Sequence, residues 1–235
     1  MSALLRFAAG VVFVLALPVV LFFGTLIWAV LDVGTYQRLL FDYGAAARTG
    51  LNAAQLNAVA VAFANHFREG TPFTLTVVKA GVTQPLFSER EILHLRDIYD
   101  LVQFGLRALV GIGLFLVAFT LAGIAWWRGR YWRTLAGHAR AGAVLTLGLL
   151  ALLAAGSLLD FEQLFWLFHE ISFRNDFWLL DPNQHYLINL FSQQFALDTV
   201  LLVAVATAVE ALSLAVVASL VIRWSTGNGP AGRAN

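Results

Sequence analysis

Four long apolar stretches, almost free of charged residues, dominate this sequence. They occupy residues 7–31, 108–127, 141–159 and 199–222, and only the last contains a charged residue, Glu210. A helix needs about 20 residues to cross the hydrocarbon core of a bilayer. The sequence therefore predicts an all-α membrane protein, a single domain over residues 1–235. Its four transmembrane helices are expected at about residues 7–31, 101–127, 141–159 and 198–222.

The composition agrees with a membrane protein and excludes other classes. The residues AVILMFWYC make up 60% of the chain and charged residues 12%, whereas soluble domains have about 45–50% apolar and about 25% charged residues. An ordinary soluble enzyme and a disordered protein are therefore excluded. The absence of cysteine excludes disulfides, iron–sulfur clusters and cysteine-ligated zinc. A net charge of +1 provides no electrostatic basis for nucleic-acid binding.

The arginines predict the orientation of the chain in the membrane. The short connection after the second stretch, RGRYWRTLAGHAR, contains four arginines and no acidic residue, and short connections rich in Lys and Arg stay in the cytoplasm. Both termini are then cytoplasmic, and residues 33–100 and 161–197 lie outside. The first stretch exceeds the roughly 7–15 apolar residues of a signal peptide, so we expect an uncleaved helix.

The first outer segment has the signals of a small α+β cap over residues 33–100. Asn52 is a candidate N-cap for a helix that ends near Glu69, before Gly70. Alternating apolar residues and a turn between 73 and 88 predict a β-hairpin. Ser88 and Glu91 form a capping-box pattern at the start of a helix that leads into the second span.

The second outer segment, residues 161–197, is unusually aromatic, with seven Phe, two Trp and one Tyr. We expect an interfacial loop that packs on the outer leaflet or lines a lipid-facing cleft. The aromatic residues expected to contact lipid are Phe165, Trp166, Phe168, Phe173 and Phe177. The C-terminal tail, residues 225–235, is expected to be disordered.

Two outer histidines are candidates for acid–base chemistry. His94 and Asp97 are three residues apart on one predicted helix and share a face, and a neighbouring carboxylate fixes the tautomer of an imidazole; the alternative is a solvated pair. His169 follows the apolar run LFWLF, which makes it a candidate site residue; the alternative is a hydrogen-bonded interfacial histidine. Two histidines near the outer membrane surface suggest chemistry on a lipid-borne ester or amide.

Asn175, Asp176 and Trp178 follow His169 closely in the sequence. They are candidates to orient a histidine or to donate a hydrogen bond to an oxyanion, and the alternative is a simple turn. The segment HEISF lacks the second histidine of the H-E-x-x-H motif, so we expect no metal site.

Three further polar groups are expected to be structural. His66 and His138 are expected to have no catalytic role, and His138 lies in the basic connection predicted to be cytoplasmic. Glu210 lies inside the fourth span, where an acid needs a partner. Arg107 is the expected partner.

Two segments resemble a known family. They are FSEREILHLRDIYDLV, residues 87–102, and DFEQLFWLFHEISFRNDFWLLDPNQHYLINLFSQQFALD, residues 160–198. They resemble the bacterial lipoprotein intramolecular acyltransferases. The shared pattern is a Glu before His-x-x-Asp, followed by Phe-His, Asn-Asp-x-Trp and Asp-Pro. The chain departs from this pattern at His185, where the family has an acid, and at Ser192, where it has a proline.

The resemblance implies a specific reaction. The substrate is a diacylglyceryl-modified lipoprotein with a free α-amine on its N-terminal cysteine, and the sn-2 acyl chain moves to that amine. No cofactor is required, and the partners are this lipoprotein and membrane lipid, not nucleic acid. The location is the bacterial cytoplasmic (inner) membrane, with the active site on the extracytoplasmic side.

The resemblance also assigns roles to residues. His94, oriented by Asp97, is the expected base, and His169 is the expected partner of the oxyanion or leaving group; the reverse assignment stays open. The supporting residues are Glu91, Asp97, Asn175, Asp176 and Trp178.

Two alternatives come from other functional classes. One is an electron carrier with haem bound between two histidines that face each other inside the helix bundle. The sequence argues against it, because no histidine lies within a predicted span. The other is a non-catalytic envelope protein whose outer segments bind a partner.

Overall fold

Within the described residues, the structure contains eight helices and one two-stranded hairpin. It is a computed structural model that describes residues 3–79, 81–127 and 131–227. In chain order the elements are α1 (Ala3–Leu31), α2 (Val33–Asp42), α3 (Ala45–Thr49), α4 (Ala53–Glu69), β1 (Thr76–Lys79), β2 (Val82–Pro85), α5 (Glu89–Trp127), α6 (Tyr131–Ser172), α7 (Tyr186–Leu190) and α8 (Gln193–Gly227).

The four predicted spans correspond to four helices, α1, α5, α6 and α8. Each is long and apolar enough to cross a membrane. Helix α5 exposes a stripe of apolar side chains at helical spacing, Val110, Leu114, Val117 and Leu121. An exposed apolar stripe suits contact with lipid rather than water. The predicted class, a mostly helical membrane protein with four spans, is therefore confirmed.

The helices extend beyond the predicted spans. Helix α6 begins at Tyr131, so most of the arginine-rich connection predicted at 128–140 is helical, and residues 128–130 lie outside the described residues. Helix α8 runs to Gly227; residues 225–227 of the predicted disordered tail are helical, and 228–235 lie outside the described residues. The backbone hydrogen bonds of an α-helix form within the helix itself. A membrane-spanning helix can therefore continue beyond the membrane surface.

A break at Asp160 divides α6. Asp160 has non-helical dihedral angles, φ −160° and ψ 87°, and its carboxylate accepts a hydrogen bond from the N–H of Gln163 at 2.9 Å. Asp160 thus acts as an N-cap for residues 161–172. The break coincides with the predicted end of the third span. The aromatic segment after it is not one loop, because 161–172 and 186–190 are helical.

The chain divides into two compact units, of which the first comprises residues 1–25, 107–155 and 203–235. In it, α1 and α6 approach closely at glycines. A Cβ atom added at Gly142 would lie 2.5 Å from Cδ1 of Leu17 and 3.1 Å from the carbonyl oxygen of Val14. Small residues allow such close packing between membrane helices.

Two sequence-based expectations about this unit are wrong. His138 lies on α6, not in a loop, and its ring packs 5.9 Å from the ring of Phe119 and 6.1 Å from that of Phe13. Glu210 accepts hydrogen bonds from the hydroxyl of Thr25 at 3.2 and 3.3 Å. No bond between Glu210 and Arg107 is found within the described residues. A neutral hydroxyl on α1 therefore takes the place of the expected arginine.

The second unit comprises residues 26–106 and 156–202. Its predicted helix is confirmed as α4, with Asn52 and Gln55 forming a capping box. Gly70 closes α4 with φ 72°, a left-handed conformation that favours glycine. One face of this helix is apolar and is buried in the core of the unit, at Leu56, Val59, Ala60, Phe63 and Phe67.

The predicted hairpin is also confirmed. Strands β1 and β2 pair antiparallel, with Thr76 opposite Pro85 and Lys79 opposite Val82. Gly81 has φ 80° in the turn. Pro85 is the last residue of β2, where its missing N–H removes no interior bond of the ladder.

Helices α2 and α3 were not expected from the sequence. Asp32 ends the first apolar stretch and is also the N-cap of α2, because its carboxylate accepts bonds from the N–H and hydroxyl of Thr35 at 2.7 and 2.9 Å. Asp32 therefore both ends the apolar stretch and caps the helix that follows it.

Candidate active site

The candidate site is built on the N-terminal turns of α5. The predicted capping box is present: one oxygen of Glu91 accepts bonds from the backbone N–H and hydroxyl of Ser88, both at 2.7 Å. The other oxygen accepts the N–H of Leu187 at 2.7 Å. The side chain of Glu91 is 1% exposed. The Glu91 carboxylate thus accepts three hydrogen bonds and connects the start of α5 to α7. These bonds fix the start of the helix that carries His94.

The structure brings the two predicted histidines together. His94 on α5 and His169 on α6 are 75 positions apart in the chain, yet their ring centroids are 5.9 Å apart with an interplanar angle of 37°. Both are largely buried, at 5% and 7% exposure. Two imidazoles at this distance can act on one small reacting group.

A backbone hydrogen bond sets the tautomer of His169. Its Nδ1 lies 2.7 Å from the carbonyl oxygen of Phe165. A carbonyl oxygen only accepts hydrogen bonds, so Nδ1 carries the proton and the neutral ring has its lone pair on Nε2. In this form Nε2 can accept a proton from a substrate.

Two aromatic rings pack against the imidazole of His169. The ring of Phe165 lies 4.2 Å away, and that of Trp178 lies 4.9 Å away at an angle of 33°. Trp178 in turn meets Trp166 edge-on at 4.9 Å. The orientation of the imidazole is therefore fixed by packing as well as by its hydrogen bond.

The expected pairing of Asp97 with His94 is not observed. Asp97 instead accepts a hydrogen bond from the side-chain amide of Asn175 at 2.9 Å. The Nδ1 atom of His94 is buried, and no described residue forms a hydrogen bond with it. The spacing of three residues does place both side chains on one face of α5, but the carboxylate reaches the segment after α6 rather than the imidazole.

Asn175 and Asp176 also have other roles than those expected. Besides donating to Asp97, Asn175 accepts the N–H of Phe177 at 3.1 Å. The carbonyl oxygen of Asp176 accepts the N–H of Leu179 at 3.1 Å. Both residues thus shape the segment that carries Trp178, and among the described residues neither side chain forms a hydrogen bond with a histidine.

The aromatic residues expected to contact lipid differ in exposure and fall into three groups. Trp166 and Phe168 are exposed, and Phe165 and Phe177 are half-buried. Phe173 is buried, with its ring 5.1 Å from that of His94 and 5.6 Å from that of His169. Phe173 is thus part of the wall of the histidine site rather than a lipid contact.

A groove of about 490 Å³ opens beside the break in α6. It is largely apolar and contains Trp166, which contacts Trp178. Its lining residues are Gly156, Leu159, Asp160, Gln163, Leu164, Trp166, Leu167 and Glu170.

His185 organises a turn outside the histidine pair. Its Nδ1 lies 2.9 Å from the N–H of Asp181, and the side chain of Asp181 accepts the N–H of Asn183 at 2.9 Å. The Asn183 N–H, followed by the Gln184 side chain, lowers the pKa of Asp181. The Asp-Pro motif therefore forms a turn that leads into α7.

The structure adds one residue that the sequence analysis missed, Arg90. Its guanidinium donates to the carbonyl oxygen of Leu179 at 3.2 Å and to that of Asp176. The sequence feature that could have identified Arg90 is its position one helical turn before His94. Within the described residues, no group of three or more His, Asp or Glu side chains is placed to hold a metal.

Comparison with known proteins identifies a family and a shared fold. The model of the family described as lipoprotein intramolecular transacylase Lit matches residues 11–195. An in meso structure of the membrane-integral lipoprotein intramolecular transacylase Lit from Bacillus cereus has a TM-score of 0.72 at 14% identity, covering 96% of this chain and 97% of that one. A histidine-to-alanine variant of that protein has a TM-score of 0.73 at 12% identity, covering 94% and 96%. No curated protein sequence matches significantly. At these identities the structural likeness establishes a shared fold.

Proposed function

This chain belongs to the lipoprotein intramolecular transacylase family, and from this premise we propose that it moves the sn-2 acyl chain of a diacylglyceryl-cysteine lipoprotein to the α-amine of the same cysteine. The product is an N-acyl lyso-lipoprotein. The observation that carries the proposal is the apposition of His94 and His169 at 5.9 Å. Aminolysis of an ester needs a proton acceptor and a hydrogen-bond donor in one place.

His169 is the proposed base. An α-amine has a pKa of about 7.7–8.0, so part of it is protonated near neutrality and only the neutral amine attacks. As the amine nitrogen bonds to the ester carbonyl carbon, Nε2 of His169 takes the proton that the nitrogen loses. The Nδ1–H bond to Phe165 holds the tautomer that makes this possible. The structure thus favours the reverse of the assignment expected from the sequence.

His94 is the proposed donor to the oxyanion. The tetrahedral intermediate has a negatively charged oxygen, which a hydrogen-bond donor stabilises. Among the described residues, the buried Nδ1 of His94 has no hydrogen-bond partner, and this supports a role for its imidazole in binding the substrate. When the intermediate collapses, the bond to the glycerol oxygen breaks, and that oxygen takes the proton from His169. The result is an amide and a free glycerol hydroxyl.

Both reacting groups belong to one substrate molecule. Holding amine and ester in an attack geometry supplies much of the rate in intramolecular reactions. The exposed aromatic rings of Trp166 and Phe168 are proposed to contact the acyl chains and membrane lipid. The proposed site lies on the extracytoplasmic side of the bacterial inner membrane, as the arginine distribution predicts.

Fragmentation of a reporter lipoprotein tests the proposal. The chain is co-expressed with a diacylglyceryl reporter, and the N-terminal peptide is isolated and fragmented. Because intramolecular transfer leaves the total mass unchanged, only the fragments show whether an acyl chain has moved from glycerol to nitrogen. We expect N-acyl fragments with the wild type and none with the double variant His94→Ala/His169→Ala. Wild-type protein that leaves both chains on glycerol contradicts the proposal.

A haem-binding electron carrier and a non-catalytic envelope protein were the alternatives from the sequence. Membership of a transacylase family argues against both.

A further inference from the structure

We propose that Arg90 is a positioning residue for acyl transfer: it holds residues 173–180 so that Trp178 stays stacked on His169. This inference rests on the proposed function and extends it to a residue outside the histidine pair. Nothing in the chemistry of the transfer itself requires an arginine at this place.

The contacts of the Arg90 side chain described here are all with residues of the segment 173–180. Its Nε donates to the carbonyl oxygen of Leu179 at 3.2 Å, and its Nη2 donates to the carbonyl oxygen of Asp176. The guanidinium carbon also lies 6.0 Å from the centroid of the Phe177 ring, within reach of a cation–π interaction. One side chain thus contacts three of the four residues from 176 to 179, and the fourth is Trp178.

A second anchor lies on the same face of α5. Arg90, His94 and Asp97 follow the spacing i, i+4 and i+7, which places them on one side of a helix. Asp97 accepts the amide N–H of Asn175 at 2.9 Å. The catalytic histidine therefore lies between two side chains that attach residues 173–180 to its own helix.

This attachment has a consequence for His169. The imidazole packs against Phe165, on its own helix, and against Trp178, on the attached segment. If the segment moves away, one wall of the imidazole is lost and the ring can rotate about its remaining contacts. Nε2 would then spend less time facing the substrate amine. The expected defect is therefore in the chemical step rather than in substrate binding.

Steady-state kinetics in membranes or detergent tests this inference, with a diacylglyceryl lipopeptide as substrate. We expect Arg90→Ala to lower kcat by about 10-fold to 10²-fold, the range that small misplacements produce, with little change in KM. Arg90→Lys keeps the charge but not the planar fork that reaches two carbonyls, and should fall between Ala and wild type. If Arg90→Ala does not fold, Arg90→Lys carries the test.

A double-mutant cycle separates positioning from a general structural effect. In a Trp178→Ala background, Arg90→Ala should have much less effect on kcat than it has in the wild type, because the contact it protects is already absent. Effects of the two substitutions that simply multiply overturn the inference. A rise in KM at constant kcat also overturns it and indicates direct contact with substrate.

Arg96→Ala is the matched control. Arg96 is exposed on the same helix and off the face shared by Arg90, His94 and Asp97, so its removal should leave kcat unchanged. An equal loss with Arg96→Ala overturns the inference, since the effect would then follow from charge alone. If the wild type forms no N-acyl product, the proposed function fails; if it is active and Arg90→Ala is equally active, only this inference fails.

Discussion

At the scale of single residues, the two histidines provide the most direct prediction. Removing a general base typically lowers a rate by about 10²–10⁴-fold, and removing one oxyanion donor by about 10²–10³-fold. We expect His94→Ala and His169→Ala each to insert and fold but to form little N-acyl product. The double variant should be little worse than either single one, because groups that act as a unit are not additive.

The control for this experiment follows from the position of His66. Its Nδ1 lies 2.8 Å from the carbonyl oxygen of Thr71, and its Nε2 lies 3.4 Å from that of Leu95. We therefore expect His66→Ala to lower the Tm while the folded protein keeps its turnover. A folded His94→Ala or His169→Ala protein that retains more than about a tenth of wild-type activity contradicts the role of that histidine.

Glu91 provides a second prediction at this scale. Replacing Glu91 with Gln turns one of two accepting oxygens into a donor, which then faces a backbone N–H of Ser88 or Leu187. An unsatisfied buried polar group costs about 1–3 kcal/mol, so we expect Glu91→Gln to lower the free energy of unfolding by that amount. Thermal unfolding in detergent measures the loss.

Hydrogen exchange locates the effect of the same substitution. The N–H of Leu187 should exchange faster in Glu91→Gln, since its bond to the carboxylate is weakened. Unchanged stability together with lost activity would show that Glu91 takes part in the chemistry instead of holding α5 and α7 together.

At the scale of secondary-structure elements, the contact between α1 and α6 can be tested with two glycines of the same helix. A Cβ atom at Gly142 would come within 2.5 Å of Leu17 and 3.1 Å of the Val14 carbonyl oxygen. A Cβ atom at Gly148 would have no described atom within 4 Å apart from its chain neighbours and its own helix backbone. We expect Gly142→Ala to destabilise the protein by about 1–3 kcal/mol, the usual effect of overpacking.

Gly148→Ala is the matched control. Alanine is the better helix former by about 1 kcal/mol in a helix interior, and the exposed position leaves room for the methyl group. Gly148→Ala should therefore have an equal or higher Tm than the wild type. Equal loss of stability from both substitutions would show that α1 does not pack closely at Gly142.

At the scale of the whole molecule, the orientation in the membrane is open to direct test. The chain has no cysteine, so single cysteines can be introduced without a background. We expect Thr83→Cys and Asn183→Cys to react with an impermeant thiol reagent added to intact cells, because both positions are exposed and lie in segments predicted to be outside.

Thr134→Cys tests a position that is predicted to face the cytoplasm. Thr134 is exposed at the start of α6, within the arginine-rich segment predicted to be cytoplasmic. Its cysteine should react only after the cells are opened. Labelling of this position in intact cells would reverse the orientation and move both histidines to the cytoplasmic side.

Several features were predictable because they depend on local sequence. The four spans follow from length and hydropathy, and the caps at Asn52 and Ser88 follow from side chains three residues from their partners. The choice of the two candidate histidines followed from the motifs around them, and their catalytic role stays a prediction. In each case the interaction partners are close in the chain or are the membrane itself, so no knowledge of the tertiary structure is needed.

The partners of the polar side chains were decided only by the tertiary structure. Asp97 bonds to Asn175 rather than to His94, and Glu210 bonds to Thr25 rather than to Arg107. The tautomer of His169 likewise depends on its packing and on a carbonyl oxygen. A side chain on a helix has several neighbours within reach, and which one it meets depends on the position of segments that are distant in sequence. The sequence determined the spans, the local caps and the candidate residues, while packing between distant segments decided how the side chains are oriented.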